Sequence, residues 1–274
     1  MQLLGIIGDP ISHSLSPIMH TAALKQLNLA YSYSPIQVPV ASLDCVMNSL
    51  RIFPFKGINI TIPHKQTAIK YLDKLAPCAA AVKAVNTVIK QDNSLIGYNT
   101  DSTGFLAGLV PYLDKLATKK ALIIGAGGAA CAVVAALRPY SISLTVSARQ
   151  FSKFPYLSAV TPAPWPITPE LIATHKLIIN TTPIGMTGYS IQTWLPNPSG
   201  LTPDHICYDL IYTPLETAFL ASAKQAGAII INGLSMFVGQ GEQAFYYFTG
   251  QQAPPTIMQA AALAALSQRN LDSQ

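Results

Sequence analysis

The segment Lys119-Lys120-Ala121-Leu122-Ile123-Ile124-Gly125-Ala126-Gly127-Gly128-Ala129-Ala130 sets glycines between an apolar run and an alanine-rich run, with Ala130 where a third small residue belongs. Such a turn lets the backbone approach an anion closely, and it aims free N–H groups and the positive end of the next helix at a pyrophosphate. The plain alternative is a tight strand-to-helix connection. The strand before the turn and the helix after it favour a dinucleotide site.

The next strand, Ser143 to Ser147, runs into Ala148-Arg149-Gln150-Phe151-Ser152-Lys153. An NAD site offers an acidic side chain about 20 residues past the first glycine, whereas a 2′-phosphate needs cations. No Asp or Glu occurs between Asp114 and Glu170. Arg149 can meet a phosphate with its planar fork and Lys153 with a point charge, so NADP is the expected cofactor. Two solvated loop cations are the alternative.

A nicotinamide performs half of a carbonyl reduction, because hydride arriving at a ketone leaves an alkoxide that needs a proton donor. Two polar clusters stand at strand ends, Asn59-Ile60-Thr61-Ile62-Pro63-His64-Lys65 and Asn99-Thr100-Asp101. Lys65 is expected in the first turn of a helix, where the macrodipole disfavours a cation and would suit it to exchange a proton. An ordinary surface lysine is the alternative. His64 is read as structural, and His13 and His20 as hydrogen-bonded scaffold. Ser16 before Pro17 reads as a helix N-cap, which leaves Ser14 and the helix-end N–H groups to receive a carboxylate.

These residues need strand ends to hold them. Apolar runs and helical stretches alternate from the start: Leu3 to Gly8 then Pro17 to Asn28, Tyr31 to Val38 then Val40 to Leu50, Gly57 to Thr61 then His64 to Leu72. Val85 to Lys90 and Leu95 to Asn99 read as a hairpin. After a helix from Ser102 to Leu116 come strands at Ala121–Ile124, Ser143–Ser147, Leu177–Asn180, Ile206–Leu210 and Ala228–Ile231, with a helix Ala129–Leu137. That second series suits a doubly wound parallel sheet. The fold class is α/β: an N-terminal α/β substrate domain over 1–101, a Rossmann-type NADP domain over 102–238, and C-terminal helices over 239–274 returning to the first. Phe154–Pro169, with five prolines, and Pro183–Pro203, with four, are expected to lack regular structure.

Bulk composition narrows the classes. Half of the 274 residues are apolar and 11% are charged, which excludes disorder. The net charge is +5, but the only adjacent Lys/Arg pair is Lys119-Lys120, and a chain without a basic stripe is not a nucleic-acid binder. Cys45, Cys78, Cys131 and Cys207 lie far apart and read as small buried hydrophobes, so neither a metal site nor a disulfide framework is expected. The start of the chain reads as a strand rather than a signal peptide. The run Ala228–Gly239 is too short and too interrupted to span a bilayer, so a cytoplasmic protein with no membrane partner is expected.

Taken in order, Asp9-Pro10-Ile11-Ser12-His13-Ser14-Leu15-Ser16-Pro17, Gly57-Ile58-Asn59-Ile60-Thr61-Ile62-Pro63-His64-Lys65, Ala84-Val85-Asn86-Thr87, Asn99-Thr100-Asp101, Gly125-Ala126-Gly127-Gly128-Ala129 and Gly233-Leu234-Ser235-Met236-Phe237-Val238-Gly239-Gln240 resemble the signature of the shikimate dehydrogenase family. The resemblance implies reversible NADPH-dependent reduction of 3-dehydroshikimate to shikimate, in the route through chorismate to aromatic amino acids. It implies Lys65 and Asp101 as the catalytic pair, which also touches substrate. Ser14 and Ser16 would hold the substrate carboxylate, and Thr61, Asn86, Tyr212 and Gln240 its ring hydroxyls and neighbouring groups. Gly125 to Ala129, Ala148, Arg149, Lys153, Leu210 and Gly233 would bind the cofactor. Tyr212 packing the cleft wall, and Asn86 satisfying local backbone, are the plain readings of those two. A homodimer is one expectation for the oligomeric state.

The chain departs from the family pattern at several positions. Ala148-Arg149-Gln150 replaces Asn-Arg-Thr, Cys131 stands where a basic or polar residue is common, and Lys83 and Ser102 each replace a glycine. The rivals are an NAD-dependent quinate/shikimate dehydrogenase, which the missing acidic residue disfavours, and a non-catalytic metabolite sensor, which needs no Lys65 and Asp101.

Overall fold

The computed structural model describes residues 2–151, 154, 156–191 and 200–272. The chain divides into two compact units, Met1–Thr100 with Val238–Gln274, and Asp101–Phe237.

The first unit opens with β1 (Gln2–Gly8), α1 (Ser16–Gln26), β2 (Tyr31–Gln37), α2 (Leu43–Ile52) and β3 (Phe55–Ile60). It continues with β4 (Lys74–Leu75), α3 (Pro77–Val82), β5 (Thr87–Gln91) and β6 (Ser94–Tyr98). The strand order is β2-β1-β3-β5-β6-β4. Helical crossovers keep β1 parallel to both β2 and β3, while β5 pairs antiparallel with β3 and then with β6 through a tight turn. Leu43, Met47 and Leu50 recur at helical spacing on α2 and are its buried face. Burying each contributes roughly 1.5–3 kcal/mol.

Two local expectations need correction. The helix expected from His64 to Leu72 is a run of turns followed by a 3-10 helix, Thr67–Tyr71. The Lys65 carbonyl, which an α-helix would give to Ile69, instead accepts the Val85 N–H at 2.8 Å, and Ile69 N–H turns to the Gln66 carbonyl at 3.2 Å. The macrodipole argument for Lys65 therefore has no α-helix to act through. Ser16 is not an N-cap either: Leu15 occupies that position without a side-chain bond, and Ser16 is the first helical residue. The Ser14 hydroxyl accepts the Ser16 N–H at 3.3 Å, a local turn two residues long.

Lys83 ends α3 in the left-handed conformation, φ 55° and ψ 36°. A side chain there costs about 1–2 kcal/mol, part of which glycine gives back through its freer unfolded state. Lys83→Gly is expected to raise stability by about 0.5–1 kcal/mol, read as a higher urea midpoint. An unchanged or lower midpoint would show that the lysine side chain makes good the strain.

The second unit contains α4 (Asp101–Leu109), α5 (Leu113–Leu116), β7 (Lys120–Ile124), α6 (Gly128–Leu137), β8 (Ser143–Ser147), β9 (Thr161–Ala163), α7 (Pro169–Ala173), β10 (Leu177–Asn180), β11 (Ile206–Asp209), α8 (Ala218–Gln225) and β12 (Ile229–Ile231). Its strands run β12-β11-β10-β7-β8-β9, every pair parallel. The order reverses between β7 and β10, the doubly wound arrangement. β10 and β11 are buried throughout, as strands covered on both faces must be.

The helix expected over Ser102–Leu116 breaks at Val110–Tyr112, where Pro111 has no N–H to continue it. The proline-rich stretch Phe154–Pro169 does carry a strand, β9. It lies at the sheet edge, where Pro162 needs no partner on its open side. The other proline-rich stretch falls partly outside the described residues. All four cysteines are free, but Cys45 is exposed and Cys78 half-buried, and only Cys131 and Cys207 are buried as expected.

Two helices end the chain, α9 (Gly233–Thr249) and α10 (Pro255–Asp272). From Val238 onward they belong to the first unit, where α10 packs along α1 and Arg269 donates to the His13 carbonyl at 2.9 Å. Among the described residues, no helix is long and apolar enough to cross a membrane.

Candidate active site

The glycine turn leaves the carboxyl end of β7, at the point where the strand order reverses. Gly125 has φ +108°, and a Cβ there would stand 2.6 Å from Thr181 Oγ1. Only glycine meets both demands. Gly127 and Gly128 differ, because a Cβ on either would meet nothing within 4 Å. No packing against the protein asks for glycine at those two positions, so their bareness serves something that approaches from outside. Gly127 caps α6 without a side-chain bond, which leaves the first-turn N–H groups of the helix pointing that way. These residues fit a pyrophosphate.

Ala148 and the exposed Arg149 follow β8 on the same sheet edge, since Ser147 pairs with Ile124. Lys153 lies outside the described residues. On the other side of the reversal, Asn180 pairs with both Ile124 and Asp209. Leu210 and Gly233 are brought together, because a Cβ on Gly233 would collide with the Leu210 carbonyl. Tyr212 packs on Phe237 with ring centroids 4.9 Å apart. Asp101 is the first residue of α4, in the second unit.

In the first unit, one edge of the sheet carries the other residues except Gln240. Thr61 follows β3 and donates its N–H to the Ile7 carbonyl at 2.9 Å, and Asn86 precedes β5, with its carbonyl accepting the Ile60 N–H at 2.8 Å. Lys65, half-buried, is tied to the same edge through its backbone bond to Val85. Ser14 and Ser16 stand where the loop after β1 enters α1. Gln240 is half-buried on α9.

The Asn86 amide is held rigidly: its Oδ1 accepts from the Thr100 N–H at 2.9 Å and the Thr87 hydroxyl at 3.1 Å, while Nδ2 donates to Thr100 Oγ1 at 3.0 Å. Asn59 supports it by donating to the Asn86 carbonyl and to Thr87 Oγ1, both at 3.0 Å, and accepts the Tyr33 hydroxyl at 2.7 Å. His64 is buried, its Nε2 2.6 Å from the Val38 carbonyl. His20 corrects the expectation of a hydrogen-bonded scaffold. Both ring nitrogens are buried without a partner, and the ring stacks on Tyr33 at 4.4 Å. Burial pulls its pKa down to about 3.

Sequence reading passed over a second polar cluster, at the ends of β10 and β11. Asp209 is fully buried, and its carboxylate accepts the Thr217 hydroxyl at 2.6 Å and, at 3.1 Å each, the Asn180 amide and the Ile211 N–H. Burial pushes its pKa up to about 6, with the three hydrogen bonds opposing. The signal was a charged residue closing an otherwise apolar strand, with Asn180-Thr181-Thr182 closing its neighbour. Among the described residues, no group of three or more His, Cys, Asp or Glu could hold a metal ion.

An all-parallel doubly wound sheet, with an open glycine turn at its reversal, is the dinucleotide-binding class of α/β protein; a separate mixed-sheet unit carries polar residues at one edge. A family model described as the shikimate dehydrogenase substrate binding domain matches residues 6–88, and one described as the shikimate 5′-dehydrogenase C-terminal domain matches residues 233–263. The NADP(+) shikimate dehydrogenase of Carboxydothermus hydrogenoformans is 41% identical over 95% of this chain and 96% of its own. A crystal structure of a shikimate dehydrogenase in complex with NADP+ superposes with a TM-score of 0.90 at 34% identity, covering 97% of this chain and 96% of that one. The Thermus thermophilus shikimate 5-dehydrogenase, solved with NADP(H) and shikimate, gives 0.85 at 33% identity, covering 97% and 100%. The chain belongs to the shikimate dehydrogenase family.

Proposed function

We propose that this chain is an NADP-dependent shikimate dehydrogenase, reversibly reducing 3-dehydroshikimate to shikimate in the biosynthesis of chorismate and the aromatic amino acids. The observation that carries the reading is the bare backbone at Gly127 and Gly128, set at the sheet reversal with Arg149 one strand over and no acidic residue near it in sequence. When bound, the cofactor supplies the hydride. Gly125 to Ala129 would hold its pyrophosphate, Ala148, Arg149 and Lys153 its 2′-phosphate, and Leu210 and Gly233 would lie beside its nicotinamide. The second unit is accordingly the NADP domain, and the first, with the tail helices, the substrate domain.

On the substrate, the Lys65 ammonium protonates the oxyanion left at the ketone, and the Asp101 carboxylate accepts a ring hydroxyl. Ser14 and Ser16 hold the carboxylate. Thr61, Asn86, Tyr212 and Gln240 bind the hydroxyls and neighbouring groups. Asn86 Oδ1 accepts from Thr100 and Thr87, which fixes the orientation of the amide. The composition and family suit a cytoplasmic enzyme, and a homodimer is the oligomer we propose.

Following nicotinamide absorbance at fixed enzyme with shikimate or quinate, and NADP or NAD, tests the reading. Turnover is expected with shikimate and NADP. No turnover with any pairing supports the sensor instead, and preference for quinate with NAD supports the other rival. Arg149→Ala should weaken NADP by about 1.5–3 kcal/mol, the usual worth of a charge-assisted contact, and leave NAD nearly unaffected. Equal loss for the two cofactors refutes the phosphate assignment.

A further inference from the structure

We propose that Asp209 is a positioning residue for the cofactor, clamping together the two loops that follow β10 and β11 at the edge where the glycine turn lies. The proposal rests on the reading of that edge as the NADP site. One oxygen of the carboxylate accepts from Asn180 on β10 and from the Ile211 N–H in its own loop, both at 3.1 Å. The other accepts from Thr217 at 2.6 Å, and Thr217 in turn caps α8 by accepting the Leu220 N–H at 3.4 Å. Asn180 passes the restraint on: its Oδ1 accepts the Thr182 N–H at 3.0 Å and hydroxyl at 2.7 Å, and its Nδ2 donates to the Ile184 carbonyl at 3.2 Å.

The residue between them, Thr181, lies directly against the glycine turn. Its hydroxyl and its N–H both donate to the Ile124 carbonyl, at 2.7 and 2.9 Å, and its Oγ1 fills the space over Gly125. A single buried carboxylate thus sets the position of Thr181 against the pyrophosphate turn and of Leu210 against Gly233. An apolar strand end would lack three donors converging on fixed acceptors. Loops carry the binding groups, so the group that immobilises two of them governs binding geometry.

Asparagine at 209 keeps the shape but turns one acceptor into a donor. Its oxygen can serve Asn180 and Ile211, which leaves an N–H₂ facing the Thr217 hydroxyl. Asp209→Asn is expected to raise both the NADP KM and the directly measured NADP Kd about tenfold, the loss of one charge-assisted bond, with a smaller rise in the shikimate KM through Tyr212 on the same loop. Thr217→Val, which removes only the second oxygen's partner, should give the same selective loss, and Thr217→Ser should restore near-normal values. A lower melting temperature with unchanged NADP Kd in Asp209→Asn and Thr217→Val overturns the proposal and leaves the cluster purely structural. If the unaltered chain itself binds no NADP, both this proposal and the reading beneath it fall together.

Discussion

Lys65→Ala is expected to turn over shikimate about 10²–10⁴ times more slowly than the unaltered chain, the range for removing general acid-base help, with NADP affinity nearly unchanged. The fold itself gives the reason to trust such a variant. The Lys65 backbone carbonyl accepts the Val85 N–H, and alanine keeps that bond. A loss of turnover therefore reports the ammonium and not collapse of the turn. Asp101→Asn should fall in the same range, because a neutral amide accepts a hydroxyl less strongly than a carboxylate does. Circular dichroism would confirm that both variants are folded. Near-normal turnover in Lys65→Ala would take the lysine out of the chemistry and leave the first unit without its proton donor.

Acid should weaken the protein through His20. Its folded pKa is about 3 against 6.5 in the unfolded chain, because the neutral ring is buried with both nitrogens unbonded. A depressed base contributes stability that is full above pH 6.5 and is lost as the pH falls toward 3. Between pH 6.5 and pH 5 the loss is about 2 kcal/mol. Asp209 works in the opposite direction in the same window, since its raised pKa of about 6 means that protonation on acidification favours the folded state. The His175 pKa, lowered by its own burial, adds to the acid effect. Comparison with His20→Phe separates the contributions, because phenylalanine keeps the stack on Tyr33 and cannot titrate. Urea unfolding at pH 7 and pH 5 should show a steeper loss in the unaltered chain than in the variant. Parallel losses would mean that His20 reaches water or a partner before the molecule unfolds.

Much of the architecture was legible because its causes are local. Strand and helix periods along the first 60 residues, the glycine turn, and the apolar runs of the second sheet each depend on neighbours within a few positions. Two of the misread elements share one trait, a distant residue that took over a backbone group, whereas the helix break at Pro111 and the turn at Ser16 have local causes. The Lys65 carbonyl goes to Val85, twenty residues on, and the expected helix becomes a 3-10 turn. β9 is a strand because β8 offers it an edge, although its own sequence, Thr161-Pro162-Ala163, argues against one.

By itself, the order of residues determined the α/β alternation, the glycine turn at Gly125 to Gly128, the cation that follows β8, and the resemblance to the shikimate dehydrogenase family. Only the tertiary structure decided which polar groups lose their water. Whether His20 stacks dry on Tyr33, or whether Asp209 gathers Asn180, Ile211 and Thr217, depends on segments far apart in the chain closing over the same point. Desolvation is a property of that closure and not of any residue's type.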